Sequence, residues 1–247
     1  MKISGNTIFI PGATSGIGLG LAQRLHRAGN KVVIGGRRTE LLERISAENE
    51  GIDGVRIDTT EPSSIAVAAE TVKRNYPATN VLITMAGIML PEDLHTADFL
   101  ATAEATVTTN LLGPLRLIAA FTEFLAAQDE ATIVTVSSGL AFVPLPITPT
   151  YNATKAAIPS LSESMRAQLT DTRIQVLELV PPAVRTTLMG QEDAENAMPL
   201  EDFLDEAMSL IDTRPDATEI LVENVEFLRY AEVNGTYDHV LGLLSHR

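Results

Sequence analysis

The chain contains no cysteine. That single absence excludes disulfides, thiolate metal sites and cysteine nucleophiles. Histidine is scarce: the four are His26, His95, His239 and His246, and they form no ligand-spaced cluster. No resident metal is expected. Long apolar runs are missing, and no basic-then-apolar leader stands at the amino end, so neither a membrane span nor export is expected and the protein should be cytoplasmic. Basic residues are outnumbered, 18 Lys and Arg against 32 Asp and Glu, for a formal net charge of −14. A surface of that sign repels nucleic-acid backbones and anionic macromolecules, so no nucleic-acid partner is expected.

What is present is an even spread of apolar residues, 45% of 247, without a linker, repeat or low-complexity stretch. One core and one domain spanning 1–247 are expected. Short β-rich runs at 6–10, 31–35, 54–58, 81–84, 132–136 and 174–180 alternate with helical periodicity at 19–28, 39–47, 62–74, 97–128 and 151–169. Strands apolar on both faces, separated by helices, predict an α/β doubly wound Rossmann-type parallel sheet of six strands. Beyond Pro181-Pro182 the alternation stops. Residues 185–212 form an acidic stretch, read as a substrate lid, and helical periodicity from about 217 predicts a helical carboxyl-terminal end without a seventh strand.

Three stretches carry chemistry. Gly12-Ala13-Thr14-Ser15-Gly16-Ile17-Gly18 lies between the first strand and first helix, where backbone N–H groups and the helix dipole meet a pyrophosphate. At the end of the second strand, where an NAD site ordinarily has an acid for the ribose 2′-hydroxyl, the chain has Arg37 and Arg38. An arginine there suits the 2′-phosphate of NADP; the alternative is a pair of solvated arginines at a helix start. Asp58 is placed to meet an adenine amino group or to cap the helix after Pro62. Ser137-Ser138 stands at the carboxyl end of the fifth strand, the ligand side of such sheets. Tyr151 and Lys155, four apart, share a helical face; a lysine charge there favours the phenolate of a tyrosine that ordinarily titrates near ~10. Taken alone, the pair reads first as the start of an amphipathic helix with a half-buried tyrosine and a solvated lysine, and only second as chemistry.

In combination, Gly12-x-x-x-Gly16-x-Gly18, Ala86-Gly87, Asn110, Ser138 and Tyr151-x-x-x-Lys155 resemble the short-chain dehydrogenase/reductase family in order and approximate spacing, from Asn6 to about Thr187. The ending resembles its DltE-like subgroup of bacterial oxidoreductases. The resemblance implies reversible hydride transfer between nicotinamide and a small-molecule carbonyl or alcohol; the missing acid and the two arginines after the second strand make the expected cofactor NADP(H), preferred over NAD(H). It implies that Tyr151 is the general acid–base, that Ser138 binds the same oxygen, and that Lys155 holds the nicotinamide ribose and lowers the tyrosine pKa. Asn110 would hold a water leading from Lys155 to solvent. Thr14, Ser15, Ile17, Ala86, Gly87, Pro181, Val184 and Thr186 are implied cofactor contacts. The resemblance further implies a homodimer or homotetramer. Three positions depart from the family pattern: Pro11 for threonine, Met85 for asparagine and Pro182 for glycine.

Ile88, Met89, Leu140, Phe142, Val143, Leu145, Val184 and Met189 are candidate substrate walls or, alternatively, plain core packing. With the acidic lid they favour a neutral or cationic, hydrophobic ketone or aldehyde over carboxylated or carrier-bound substrates. The competing function class is a catalytically idle NADP-binding sensor or scaffold. Pro159, inside the catalytic helix, removes the N–H that would bond the Lys155 carbonyl, and predicts a kink or bridging water there.

Overall fold

A computed structural model describes residues 1–245; His246 lies outside them. Seven parallel strands order as β3-β2-β1-β4-β5-β6-β7. They are β1 (Thr7–Pro11), β2 (Lys31–Gly36), β3 (Ile52–Arg56), β4 (Thr79–Ile83), β5 (Ala131–Val136), β6 (Ile174–Val180) and β7 (Glu219–Leu221). The helices are α1 (Gly16–Arg27), α2 (Thr39–Glu48), α3 (Pro62–Asn75), α4 (Phe99–Val107), α5 (Gly113–Ala126), α6 (Pro149–Gln168), α7 (Leu200–Thr213), α8 (Glu223–Arg229) and α9 (Tyr237–Ser245).

The strands alternate side chains between two cores, as a pleated strand must. Ile8 and Ile10 of β1 join the core beneath α1, α2 and α7, with Leu21, Leu25, Leu42 and Phe203. Phe9, between them, points the other way into the core beneath α3, α5 and α6, with Leu117, Phe121 and Met165. Each fully buried side chain of this size contributes about 1.5–3 kcal/mol. A third, smaller cluster joins Val143 to Leu228, Ala231, Val240 and Leu244 of the carboxyl-terminal segment.

Three expectations are corrected and one left open is decided. The sheet has a seventh strand: β7 pairs β6 through Glu178↔Glu219, Leu179↔Ile220 and Val180↔Leu221. At three residues it is too short to show a period of its own, and pairing with β6 draws it out of the helical pattern that begins in earnest at α8. The segment 97–128 is two helices joined by a π-helical turn, Thr108–Leu112. β3 ends at Arg56, short of Asp58. Finally, residues 200–212 belong to a core helix rather than a lid. Phe203, Leu204 and Ala207 of α7 are fully buried, and Arg24 of α1 pairs with Glu201 at 2.8 Å and Asp205 at 2.9 Å. α6 passes through Pro159 as one helix of 20 residues, so that proline does not terminate it.

Candidate active site

The first turn is built around Gly12. Its φ is +91°, and a Cβ there would fall 2.5 Å from the backbone N and Cα of Ala86. The glycine therefore allows the turn after β1 to pack on the turn after β4, with Gly12 N–H donating to the Gly35 carbonyl at 2.8 Å. α1 then starts at Gly16 with Ser15 as its N-cap, and that cap makes no side-chain hydrogen bond. Its first turn holds no acid, so N–H groups and dipole remain available to an anion, which fits a pyrophosphate lying across Thr14, Ser15, Gly16, Ile17 and Gly18. Thr186 approaches from the opposite side, its methyl 3.3 Å from where a Gly16 Cβ would sit. Met85, which replaces the family's asparagine, lies against Gly18, while Thr84 ties β4 to β5 through the Val134 carbonyl, from its N–H at 2.9 Å and its hydroxyl at 3.3 Å.

Arg37 and Arg38 follow β2 and are exposed. Among the described residues neither is in an ion pair. Asp58 occupies the turn ahead of α3, where its Oδ1 accepts the Thr60 N–H at 3.0 Å and the Thr60 hydroxyl at 2.7 Å. Partial burial raises its pKa, but these bonds and the charges of Arg37 and Arg56 hold it below the usual carboxylate range. Asp58 does not cap the helix after Pro62, whose N-cap is Glu61; its carboxylate closes the turn at Thr60 instead.

At the carboxyl end of β5 stands Ser138, and α6 delivers Tyr151 and Lys155 from its first turns. All three are buried. Ser138 Oγ accepts the Leu140 N–H at 3.2 Å, and its hydroxyl lies within hydrogen-bonding reach of the Tyr151 phenol. Lys155 Nζ stands 5.6 Å from the Tyr151 ring centroid and donates to the Val136 carbonyl at 2.8 Å. Asn110 sits in the π-helical turn, a distortion often found at functional sites. Its amide accepts the Ile88 N–H and donates to the Ile88 carbonyl, each at 2.8 Å, with Thr154 Oγ1 at 3.4 Å. Gly87 joins the group: a Cβ on it would lie 3.4 Å from Asn110 Oδ1 and 3.9 Å from Lys155 Nζ. The structure thus brings Gly87, Asn110 and Lys155 together, and Asn110 spends its amide on orienting Ile88.

Burial dominates the electrostatics. It pushes the Tyr151 phenol up to about 12, against a downward pull from the Ser138 hydroxyl. It pushes the Lys155 ammonium down to about 8, opposed by the charge of Glu178. The phenol is thus raised rather than lowered here: burial outweighs the pull of the Ser138 hydroxyl.

The Pro181 carbonyl accepts the Gly139 N–H at 2.9 Å, joining the ends of β5 and β6. Beyond it, Val184 bridges to Met198, and Arg185 donates to the carbonyls of Ala194 and Ala197, each at 3.1 Å. The segment after β6 is therefore a folded loop stapled by Arg185. Met189 adopts φ +58° within it. Of the candidate walls, Val143 is fully buried, and Leu140 and Leu145 pack on the carboxyl-terminal cluster. Phe142 carries the Arg229 guanidinium 4.6 Å from its ring centroid. Two residues went unassigned in the sequence, Ser137 and Glu178; an acid inside the apolar run Ile174–Val180 is the signal that marks the second. Among the described residues no cluster could hold a metal ion, and no helix is long and apolar enough to cross a membrane.

Comparison with known proteins agrees with this geometry. The model of the family described as short chain dehydrogenase matches residues 6–197. The chain is 40% identical over 190 residues to DltE of Bacillus subtilis strain 168, named an uncharacterized oxidoreductase, across 76% of this chain and 75% of that protein. A short chain dehydrogenase from Burkholderia cenocepacia J2315 in complex with NADP superposes with a TM-score of 0.82 at 25% identity, covering 97% of this chain and 98% of the other. One from Sphingobium yanoikuyae in complex with NADPH does so at 0.79 and 26%, covering 96% and 95%. The extent of the family match, nearly the whole stretch from β1 through the lid loop, settles the assignment: the chain belongs to the short-chain dehydrogenase/reductase family, oxidoreductases that use a nicotinamide cofactor.

Proposed function

We propose that this chain is an NADP(H)-dependent oxidoreductase that reduces a neutral, hydrophobic ketone or aldehyde and runs reversibly on the alcohol. The observation that carries the reading is the grouping of buried Ser138, Tyr151 and Lys155 beyond the carboxyl end of β5, in a chain whose α1 begins without a side-chain cap. When bound, the nicotinamide supplies or accepts the hydride. The chain's residues do the rest. Ser138 donates to the carbonyl oxygen, Tyr151 delivers its phenolic proton to the developing alkoxide, and Lys155 holds the ribose hydroxyls. A neutral phenol is the form needed to give a proton, and burial keeps Tyr151 in that form.

Arg37, Arg38 and the lack of an acid at the end of β2 support NADP(H) over NAD(H). Apolar Ile88, Met89, Phe142 and Met189, with exposed Glu192, Asp193 and Glu195 on the lid loop, support a substrate without negative charge. Leu100, Leu112 and Leu115 are exposed along α4, the π-turn and α5, which supports association of copies through that face. Light scattering should return at least a dimer.

A panel of carbonyls run with NADPH and with NADH tests the reading. Neutral ketones or aldehydes should be turned over with NADPH ahead of NADH. Preference for carboxylated or carrier-bound substrates overturns the substrate class, and NADPH binding without any reduction favours an idle sensor.

A further inference from the structure

Ser137 and Glu178 are buried, polar and unused by the chemistry above. Glu178 lies in β6, opposite Thr135 of β5, and shares the face of β6 that carries Val176 toward α6. Ser137 donates its hydroxyl to Glu178 Oε1 at 2.5 Å, and its N–H to the Leu179 carbonyl at 3.0 Å. The peptide that supplies this N–H also supplies the Val136 carbonyl, which receives the Lys155 ammonium at 2.8 Å. One peptide group is therefore held by Lys155 at its oxygen and by β6 at its nitrogen, and its serine is held by Glu178.

The charges around this point do not balance without Glu178. Lys155 and Arg166 approach from α6, Arg229 from α8 and Glu219 from β7. Glu219 is taken by Arg229 in two contacts at 3.1 Å. Arg166 donates only to backbone, the Val176 and Thr218 carbonyls at 3.1 and 2.6 Å. Tyr151, the other titratable group beside Lys155, is neutral. A buried ammonium without an opposite charge is costly, and in apolar surroundings it loses its proton instead.

We propose that Glu178, held by Ser137, is a positioning residue that supplies the buried counter-charge for Lys155 and fixes the Val136–Ser137 peptide against which Lys155 is aligned. It acts through Lys155 and does not touch the reacting atoms. The inference rests on the role of Lys155 in the proposed reaction.

The chain has only four lysines, Lys2, Lys31, Lys73 and Lys155, so lysine labelled with 13C at Cε gives a simple NMR titration, with Lys155 assigned through Lys155→Arg. In Glu178→Gln the Lys155 midpoint should fall by roughly one pH unit, the scale of a lost opposite charge. The alkaline limb of the kcat profile should move the same way. Glu178→Asp, which keeps the charge, should restore most of the shift. A folded Glu178→Gln protein with an unmoved Lys155 midpoint overturns the proposal. If that variant does not fold, Ser137→Ala decides: a downward move supports it and an unmoved midpoint refutes it. The titration needs neither substrate nor cofactor. Failure of the carbonyl panel would thus leave it readable, and an unmoved midpoint in an active enzyme refutes this inference alone.

Discussion

The turn at Gly12 and the first turns of α6 are made in opposite ways. At Gly12 the chain brings two turns together by having no side chain, with backbone where a Cβ would stand. At Tyr151 and Lys155 it buries polar side chains that water would otherwise solvate. The first solution limits which residue fits; the second leaves identity open to sterics but shifts the protonation of whatever is placed there. Substitutions on the two sides should therefore fail differently, the first through packing and the second through desolvation.

The largest effect is expected from Tyr151→Phe, which removes the proton donor and little volume. Turnover should fall by roughly 10³-fold or more while NADPH binding, read by fluorescence, stays within a few-fold. Substantial residual activity would remove Tyr151 from the role. Gly12→Ala should show the contrasting failure, a loss of stability of about 3 kcal/mol or more from strain and overlap with Ala86, read as a lower denaturation midpoint. A variant of wild-type stability would mean the two turns do not pack as described.

Lys155→Met separates the sides further, because activity should drop while stability rises. A depression from 10.5 to about 8 corresponds to about 3 kcal/mol of penalty on the folded state at neutral pH, the upper bound of the gain. The sign follows from proton counts. Between about 8 and 10.5 the unfolded chain binds more protons at this lysine than the folded one, so its penalty fades and stability rises with pH. Tyr151 acts in reverse, since between 10 and about 12 the folded chain holds the extra proton and stability falls. Chemical denaturation across pH should show the first slope in the wild type and not in Lys155→Met. The smallest effect is expected from Arg37→Ala: NADPH affinity should weaken about tenfold, the scale of a charge-assisted contact, with NADH affinity little changed. Equal loss for both cofactors would assign Arg37 a merely structural part.

The two sides also differ in how far they were legible. The glycine string, the serine pair and Tyr151-x-x-x-Lys155 could be read directly because each is local and its order along the chain follows strand and helix ends. Asp58 could not be decided, since Thr60 competes for its carboxylate and only coordinates reveal which partner wins. The lid was overextended because acidic residues of α7 read as a solvated loop, whereas Arg24 on another helix pairs two of them. β7 was missed because its three residues become a strand only against β6.

By itself, the sequence determined the alternation of strands and helices, the glycine-rich turn after β1 and the residues proposed for catalysis, all of which depend on local periodicity and on side chains a few residues apart. Only the tertiary structure decided the seventh strand, the π-helical turn that aims Asn110 at Ile88, and the burial that drives Tyr151 and Lys155 apart in pKa. Only it placed Glu178 behind Lys155. Those features depend on what the fold removes from water, and desolvation is a property of the packed chain.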